Sequence, residues 1–150
     1  MKQKEAEHSL SASLIEASPD TYRTQNAVNG KESHSFWWDD PKFNFLVSHV
    51  NDAIVLLNRE GFQIYVSPVI EKITGFHPNE LKRHFAELIH PDDIQMVAET
   101  WERGFGNPDT PIVVEYRHMH KKGGFVWLEA SGTNYFDNPG IQAAVVTVRD

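Results

Sequence analysis

Short apolar runs, separated by turns that contain glycine or proline, divide the chain from residue 53 onward into two groups of predicted strands. The first group is "AIVLL" and "FQIYV", and the turn "NREG" between them offers Gly61 for the positive φ of a tight hairpin. The second group is "PIVVEYRHMH", "FVWLEASGT" and "IQAAVVTV", separated by "KKGG" and "DNPG". Between the two groups the pattern is helical. Helices that lie between two sets of antiparallel strands predict the α+β class.

The longest predicted helix begins at the motif His90-Pro91-Asp92-Asp93. Behind it, apolar residues recur at i, i+3, i+4, i+7 and i+11, which is one face of an amphipathic helix: Ile94, Val97, Ala98, Trp101 and Phe105. The motif could instead ligate a metal or belong to a hydrolytic site. However, adjacent aspartates point apart on a helix, and proline followed by carboxylates is what a helix start requires. We therefore predict a structural motif, with no metal site and no catalytic residue.

The composition excludes several other classes of protein. With 150 residues the chain suits one domain, and its formal charge of −7 argues against binding to nucleic acid or to anionic lipid. It has no cysteine, which excludes disulfides, thiolate metal sites and cysteine nucleophiles. Its apolar runs are too short for a signal peptide or a membrane span. We therefore expect a soluble, cytoplasmic protein without membrane contact.

Two parts of different composition precede the first strand. Residues 1–35 are rich in Ser, Glu, Asn, Thr and His and are predicted to be a flexible segment or linker. From residue 36, aromatic residues are followed by apolar residues at helical spacing, and Pro41 after Asp40 suits a helix start. We predict a flanking helix over residues 40–51 and one folded domain over residues 36–150.

Several motifs occur together in an order that resembles the PAS family. "YVSPVIEKITGFHPNEL" followed by "LIHPDD" is similar to the first half of a PAS domain. "VEYRHMHKKGGFVWLEASGTNYFDNPG" with the terminal "VTVRD" is similar to its second half, the PAC region. The similarity covers residues 53–150. It implies a PAS-like five-stranded antiparallel sheet with short helices packed on one face, and a cavity between them that can hold a small molecule.

The resemblance also implies a function. PAS domains sense ligands, redox state or light, or they dimerise, and they pass the change to an effector such as a diguanylate cyclase or the histidine kinase of a two-component system. In the family a connecting helix usually follows the terminal "RD", so we expect this sequence to be part of a longer signalling protein. The leading hypothesis is a non-catalytic sensory module with a downstream effector domain. The alternative is a purely structural dimerisation domain with a filled core.

The cofactors of PAS subfamilies leave different marks on a sequence. Haem-binding members usually carry a histidine ligand on the longer helix, and "DDIQMVAETWERG" contains none. Flavin photosensors that form a cysteinyl adduct, and chromophores attached through cysteine, are excluded because the chain lacks cysteine. Haem is therefore not expected and a covalent flavin adduct is excluded, while a non-covalent flavin or a metabolite stays open.

The inner face of the predicted sheet supplies the candidate ligand pocket. Small residues such as Ala130 and Gly132 leave room there, which we expect to be filled by Trp101, Phe85 and Tyr65, with a hollow cavity as the alternative. His118 shares a strand face with Tyr116, which makes it a candidate polar group of the pocket. A metal pair with His120 and simple surface exposure are the alternatives. The complete set of pocket candidates is Tyr65, Phe85, Val97, Trp101, Tyr116, His118, Leu128 and Ala130.

The outer face of the sheet supplies a candidate partner surface. Trp127 alternates onto this face, where an exposed indole favours a covering partner. We expect the cover to come from the aromatic N-terminal residues, either of the same chain or of a second copy in a homodimer. The alternative is cross-strand charge pairing around Glu115, Arg117 and Glu129. The candidate partner residues are Phe36, Trp37, Trp38, Phe43 and Trp127.

Overall fold

The two predicted groups of strands pair into one antiparallel sheet in the computed structural model, which describes residues 36–150. The first group is β1 (Ala53–Leu57) and β2 (Gln63–Val66). The second group is β3 (Ile112–Met119), β4 (Phe125–Asn134) and β5 (Ala144–Arg149). The spatial order is β2-β1-β5-β4-β3, so the last strand lies at the centre and joins the two groups. The predicted α+β fold with a five-stranded antiparallel sheet is confirmed.

Short helices flank this sheet. Helix α1 (Pro41–Val47) precedes it, while α2 (Ile70–Thr74) and α3 (Ile94–Phe105) lie between the two groups of strands. Helix α1 begins as predicted, with the Asp40 carboxylate accepting a hydrogen bond from the Lys42 backbone N–H at 2.8 Å. It ends before residue 51, because residues 49 and 50 donate to carbonyls three positions back and so form tighter turns.

The segment from α2 to α3 is built from tight turns. Helix α2 ends at Gly75, whose φ of 81° provides the left-handed conformation of a C-cap. Two 3-10 turns follow, at Pro78–Leu81 and Phe85–Leu88. No helix within residues 36–150 combines the length and the apolar character needed to cross a membrane. The predicted flexible segment over residues 1–35 lies outside the described residues.

The His90-Pro91-Asp92-Asp93 motif starts α3 through a 3-10 turn at Pro91–Asp93. The Nδ1 atom of His90 accepts a hydrogen bond from the Asp92 backbone N–H at 3.1 Å, so the imidazole acts as the N-cap. The Asp93 carboxylate instead reaches β3, where it accepts from the Arg117 guanidinium at 2.8 and 3.0 Å and from the Arg117 backbone N–H at 2.9 Å. The motif therefore begins α3 and also fastens it to an edge strand.

A β-bulge in β2 decides which residues face inward. The pairing of Leu56 with Tyr65 is followed by the pairing of Leu57 with Gln63, so Ile64 is an extra residue on β2. As a result Ile64 and Tyr65 both pack on the outer face of the sheet, while Gln63 turns to the inner face.

Apolar side chains form a separate core on each face of the sheet. The inner core lies beneath α2, the 3-10 turns and α3, and its buried members include Val55, Ile70, Leu81, Leu88, Val97 and Leu128. The outer core lies between β1, β2 and the N-terminal residues, and consists of Trp38, Val47, Leu56, Ile64, Tyr65 and Ala143. Helices α2 and α3 thus pack on the inner face, whereas α1 packs on the outer face.

Candidate ligand-binding cavity

A cavity of about 130 Å³ lies between α3 and the inner face of the sheet. It exists because small residues replace large ones on both walls: Ala130, Gly132 and Ala144 on the strands and Gly104 on the helix. The apolar remainder of the wall includes Val55, Leu57, Val97, Ile112, Val114, Val146 and Val148. The room predicted from the small residues of β4 and β5 is therefore hollow in this structure.

Four aromatic rings close one end of the cavity. Trp101 lies 5.6 Å from Phe85 and 5.4 Å from Phe105, measured between ring centroids. Phe105 stacks on Phe136 at 5.5 Å with the ring planes nearly parallel. The Arg59 guanidinium covers the far side of Phe136 at 4.9 Å. Ring contacts of this kind fix the positions of large side chains. Because these rings pack against one another, they form a wall of the cavity and leave its interior open.

The hydroxyl group of Tyr116 is the most unusual polar feature of the site. Tyr116 lines the cavity from β3 and is only 8% exposed. Within residues 36–150 its hydroxyl makes no hydrogen bond. Burial raises the pKa of Tyr116 well above its usual value, so the group stays a neutral O–H donor. Buried hydroxyls normally have a partner, and one that lacks it at a cavity wall is suited to bind a ligand.

Gln63 supplies a second polar group to the same cavity. Its side-chain Nε2 donates to the Leu81 carbonyl at 2.8 Å, and the residue is 7% exposed. Because a carbonyl can only accept, this bond fixes the amide with its nitrogen toward Leu81. The amide oxygen makes no hydrogen bond within the described part of the chain. Gln63 therefore offers an acceptor where Tyr116 offers a donor.

A smaller side cavity of about 30 Å³ adjoins the main one and reaches His118. Gln63 and Tyr116 line both cavities. The Nδ1 atom of His118 donates to the Met119 carbonyl at 2.6 Å, which leaves Nε2 of the neutral ring as an acceptor. Burial lowers the pKa of His118 and favours this neutral form.

Seven of the eight pocket candidates lie at these cavities. Phe85, Val97, Trp101, Tyr116 and Ala130 line the main cavity, whereas His118 and Leu128 line the side cavity. Tyr65 does not, because it faces the outer core, where its hydroxyl donates to the Asn44 side-chain oxygen at 2.8 Å. Its placement in the pocket was wrong because Tyr65 alternates with the inward-facing Val66, and the bulge adds Ile64 to the outer face.

Among the cavity residues that the sequence analysis did not name, Gln63 and Phe136 are the most informative. Gln63 was overlooked because only the bulge in β2 turns it inward, and a bulge leaves no clear mark on a short apolar run. Phe136 follows β4 in what reads as a loop, yet it is buried against Trp101 and Phe105. The aromatic pair Tyr135-Phe136, directly before the turn "DNPG", was the available signal.

The N-terminal aromatics cover a different part of the outer face from the one expected. Trp38 and Phe43 pack in the outer core, where Phe43 lies 5.4 Å from the Tyr65 ring. Trp127 stays 61% exposed on β4, so cover from the same chain within residues 36–150 is ruled out. Leu56 and Ile64 on β1 and β2 already provide the apolar surface that these aromatics need.

Charged groups surround Trp127. The Arg117 guanidinium lies 5.3 Å from the Trp127 ring and is also bound to Asp93. A cross-strand charge pair does form, but Glu129 pairs with Arg149 of β5, at 2.6 Å, and not with Arg117 of β3 as expected. This face therefore carries a cross-strand charge pair, which was one interpretation of it, and also an exposed indole, which was the other.

The main cavity is small in the absence of a ligand, at about 130 Å³. None of the described residues that line it is a histidine, so it supplies no imidazole ligand for haem iron. Since the chain also lacks cysteine, it cannot form a cysteinyl flavin adduct.

Comparison with known proteins identifies the fold family. The sequence pattern of the family described as "PAS fold" matches residues 63–149, more than half of the chain. The chain belongs to the PAS fold family. The match extends from β2 to β5 and so includes most of the cavity wall.

Individual relatives agree with this assignment. The blue light receptor lreA of Aspergillus flavus is 31% identical over 105 residues, which are 69% of this chain and 12% of that protein. A PAS domain from Colwellia psychrerythraea has a TM-score of 0.62 at 23% identity, with 73% of this chain and 93% of that chain covered. A domain of a sensor histidine kinase/response regulator from Geobacter sulfurreducens has a TM-score of 0.59 at 22% identity, covering 75% and 99%. The chain spans about a tenth of the length of the curated relatives it matches.

Proposed function

We propose that this PAS domain is a non-catalytic, cytoplasmic sensor that takes a small molecule into the cavity and reports its presence to a linked effector domain. The observation that carries the proposal is Tyr116, a buried residue that lines an apolar cavity and whose hydroxyl has no hydrogen-bond partner in the described residues. A filled core would leave neither the space nor the free donor. The family supports the same role, because PAS domains are sensory modules, and lreA and the Geobacter protein are named as a receptor and a sensor kinase.

The sheet offers a route for the signal. Central strand β5 contributes Ala144, Val146 and Val148 to the cavity wall and ends at Arg149. A ligand that binds one packing of α3 against β5 more tightly shifts the population toward that packing. Any effector joined after Asp150 would receive the change through β5. A histidine kinase or a diguanylate cyclase is the effector we propose.

The experiment is a thermal-shift screen of the 150-residue chain against small neutral metabolites. A ligand present at 100 times its Kd adds about 2.7 kcal/mol to the free energy of unfolding, which is easily detected. Ala130→Leu should abolish the shift, because the larger side chain projects into the cavity. The proposal fails if nothing shifts the unmodified protein, or if the shift is the same in Ala130→Leu.

Homodimerisation through the outer face is the second candidate function. The observation that favours it is that Trp127 on the sheet and Phe45 and Leu46 on α1 are all more than 60% exposed, at 61%, 65% and 66%. In a twofold dimer the helix of each copy would cover the sheet of the other. Sedimentation of the purified chain tests this: Trp127→Glu should convert a dimer to a monomer, while Lys82→Glu, also exposed, should not. A chain that sediments as a monomer before any substitution excludes the dimer.

A further inference from the structure

The size of the cavity suits a ligand with a single ring. A cavity of about 150 Å³ lined by Leu, Ile and Phe accepts benzene. The main cavity here is of similar volume, about 130 Å³, and is also lined mainly by aliphatic and aromatic side chains. The four aromatic rings at one end give an aromatic ligand favourable edge and face contacts.

The electrostatics of the cavity require a neutral ligand. Its described lining contains no Asp, Glu, Lys or Arg. His118, in the side cavity, is kept neutral by burial. Moving an unpaired ion from water into such a site costs far more than apolar contacts return. Carboxylates and ammonium ions of the right size are thereby disfavoured.

The free polar side-chain atoms of the cavity define which ligand groups can form hydrogen bonds there. Thr100 already donates to the Met96 carbonyl at 2.9 Å. Asn134 donates to the Gly104 carbonyl at 3.3 Å and accepts from the Phe136 backbone N–H at 2.9 Å. Tyr116 and Gln63 retain unused groups, one a donor and the other an acceptor. The Thr133 hydroxyl is also unused within residues 36–150, but Thr133 lies between Gly132 and Asn134 on β4 and so alternates to the other face of the strand. A hydroxyl group is the smallest ligand group that accepts from Tyr116 and donates to Gln63.

We propose that the ligand is a neutral molecule with one aromatic ring and one hydroxyl group, of the phenol class, whose hydroxyl accepts from Tyr116 and donates to Gln63. This inference rests on the proposed function, because it names the ligand of the same cavity. The apolar ring occupies the space between Trp101, Ala130 and Gly132.

Calorimetric titration of the 150-residue chain with phenol, toluene and benzoate tests the ligand class. Phenol and toluene have nearly the same shape, and they differ in that phenol carries a hydroxyl group where toluene carries a methyl group. Phenol should bind at least as tightly as toluene, although its hydroxyl is harder to remove from water. Benzoate should not bind measurably. Tyr116→Phe should lower the ratio of phenol to toluene affinity about tenfold, which is about 1.4 kcal/mol.

Tyr65→Phe is the matched control. It removes the hydroxyl of another buried tyrosine, on the opposite face of the sheet, and should leave both affinities unchanged. If toluene binds and Tyr116→Phe does not alter the phenol-to-toluene ratio, the cavity binds ligands but the phenol class is wrong. Tight binding of benzoate would likewise overturn the ligand class alone. If neither phenol nor toluene binds, the ligand class fails, and the screen with Ala130→Leu then decides separately on the proposed function.

Discussion

At the scale of single residues, two buried tyrosines differ in whether the hydroxyl has a hydrogen-bond partner in the described part of the chain. The Tyr65 hydroxyl donates to Asn44, and burial raises its pKa to about 12. The Tyr116 hydroxyl is buried beside the cavity without a protein partner in residues 36–150. One hydroxyl therefore stabilises the fold, whereas the other is available for binding.

The two tyrosines should respond differently to loss of the hydroxyl. Tyr65→Phe loses a hydrogen bond and should lower the free energy of unfolding by about 0.5–1.5 kcal/mol. Tyr116→Phe removes a hydroxyl that has no protein partner within residues 36–150 and should leave the free energy of unfolding unchanged or raise it by up to about 1 kcal/mol. Urea denaturation without ligand measures both. Equal losses in the two variants would show that Tyr116 has a stabilising partner after all.

At the scale of secondary-structure elements, α3 is held at both ends by different means. Asp93 fastens its start to β3 through Arg117, and Trp101 and Phe105 pack its end against Phe136. Between these anchors, Gly104 on the helix and the small residues of β4 and β5 leave the cavity open. The helix can therefore be well anchored and still leave space beneath it.

The Asp93–Arg117 pair predicts an acid-sensitive contribution to stability. The hydrogen bonds from Arg117 lower the pKa of Asp93 from 3.8 to about 2 in the folded chain. Because the folded value is the lower one, the stabilisation is complete above pH 3.8 and is lost as the pH falls toward 2. Asp93→Asn should destabilise the chain at neutral pH and flatten the dependence of stability on pH in this range.

Asp92→Asn is the control for this prediction, because the Asp92 side chain is largely exposed and lies outside the pair. It should change neither the stability at neutral pH nor its acid dependence by a comparable amount. Denaturation curves between pH 2 and 7 test both variants. If Asp92→Asn and Asp93→Asn behave alike, the docking of α3 to β3 does not depend on the ion pair.

Two alanines on opposite faces of the sheet test whether the space beneath α3 is hollow. Ala130→Leu extends into the cavity and should raise the free energy of unfolding by about 1–2 kcal/mol, because its three added carbons contribute about 0.8 kcal/mol each and ordering the side chain costs about 0.5–1 kcal/mol. Ala143 is fully buried in the outer core, where Leu should cost about 1–3 kcal/mol through overpacking. Urea denaturation compares them. A similar destabilisation at both positions would mean that the inner face is already full.

At the scale of the whole molecule, the sequence predicted the architecture better than the detailed packing. Turn residues such as Gly61 and Gly75 have the positive φ that the pattern required, and they separate the strands and helices as predicted. The orientation of Tyr65 and Gln63 depended on one extra residue in β2, which periodicity does not reveal. The N-terminal aromatic residues could have packed on Trp127 or on the apolar surface of β1 and β2. They pack on β1 and β2, and only the tertiary packing decides between the two surfaces.

The central claim is that an accessible apolar cavity lies between α3 and the inner face of the sheet. A crystal of the 150-residue chain under xenon pressure tests it most directly, because xenon enters dry apolar cavities of about this size. We predict a xenon atom beside Trp101, Ala130 and Tyr116, and none in crystals of Ala130→Leu. Side chains that fill the space, with no xenon bound there, would contradict the account.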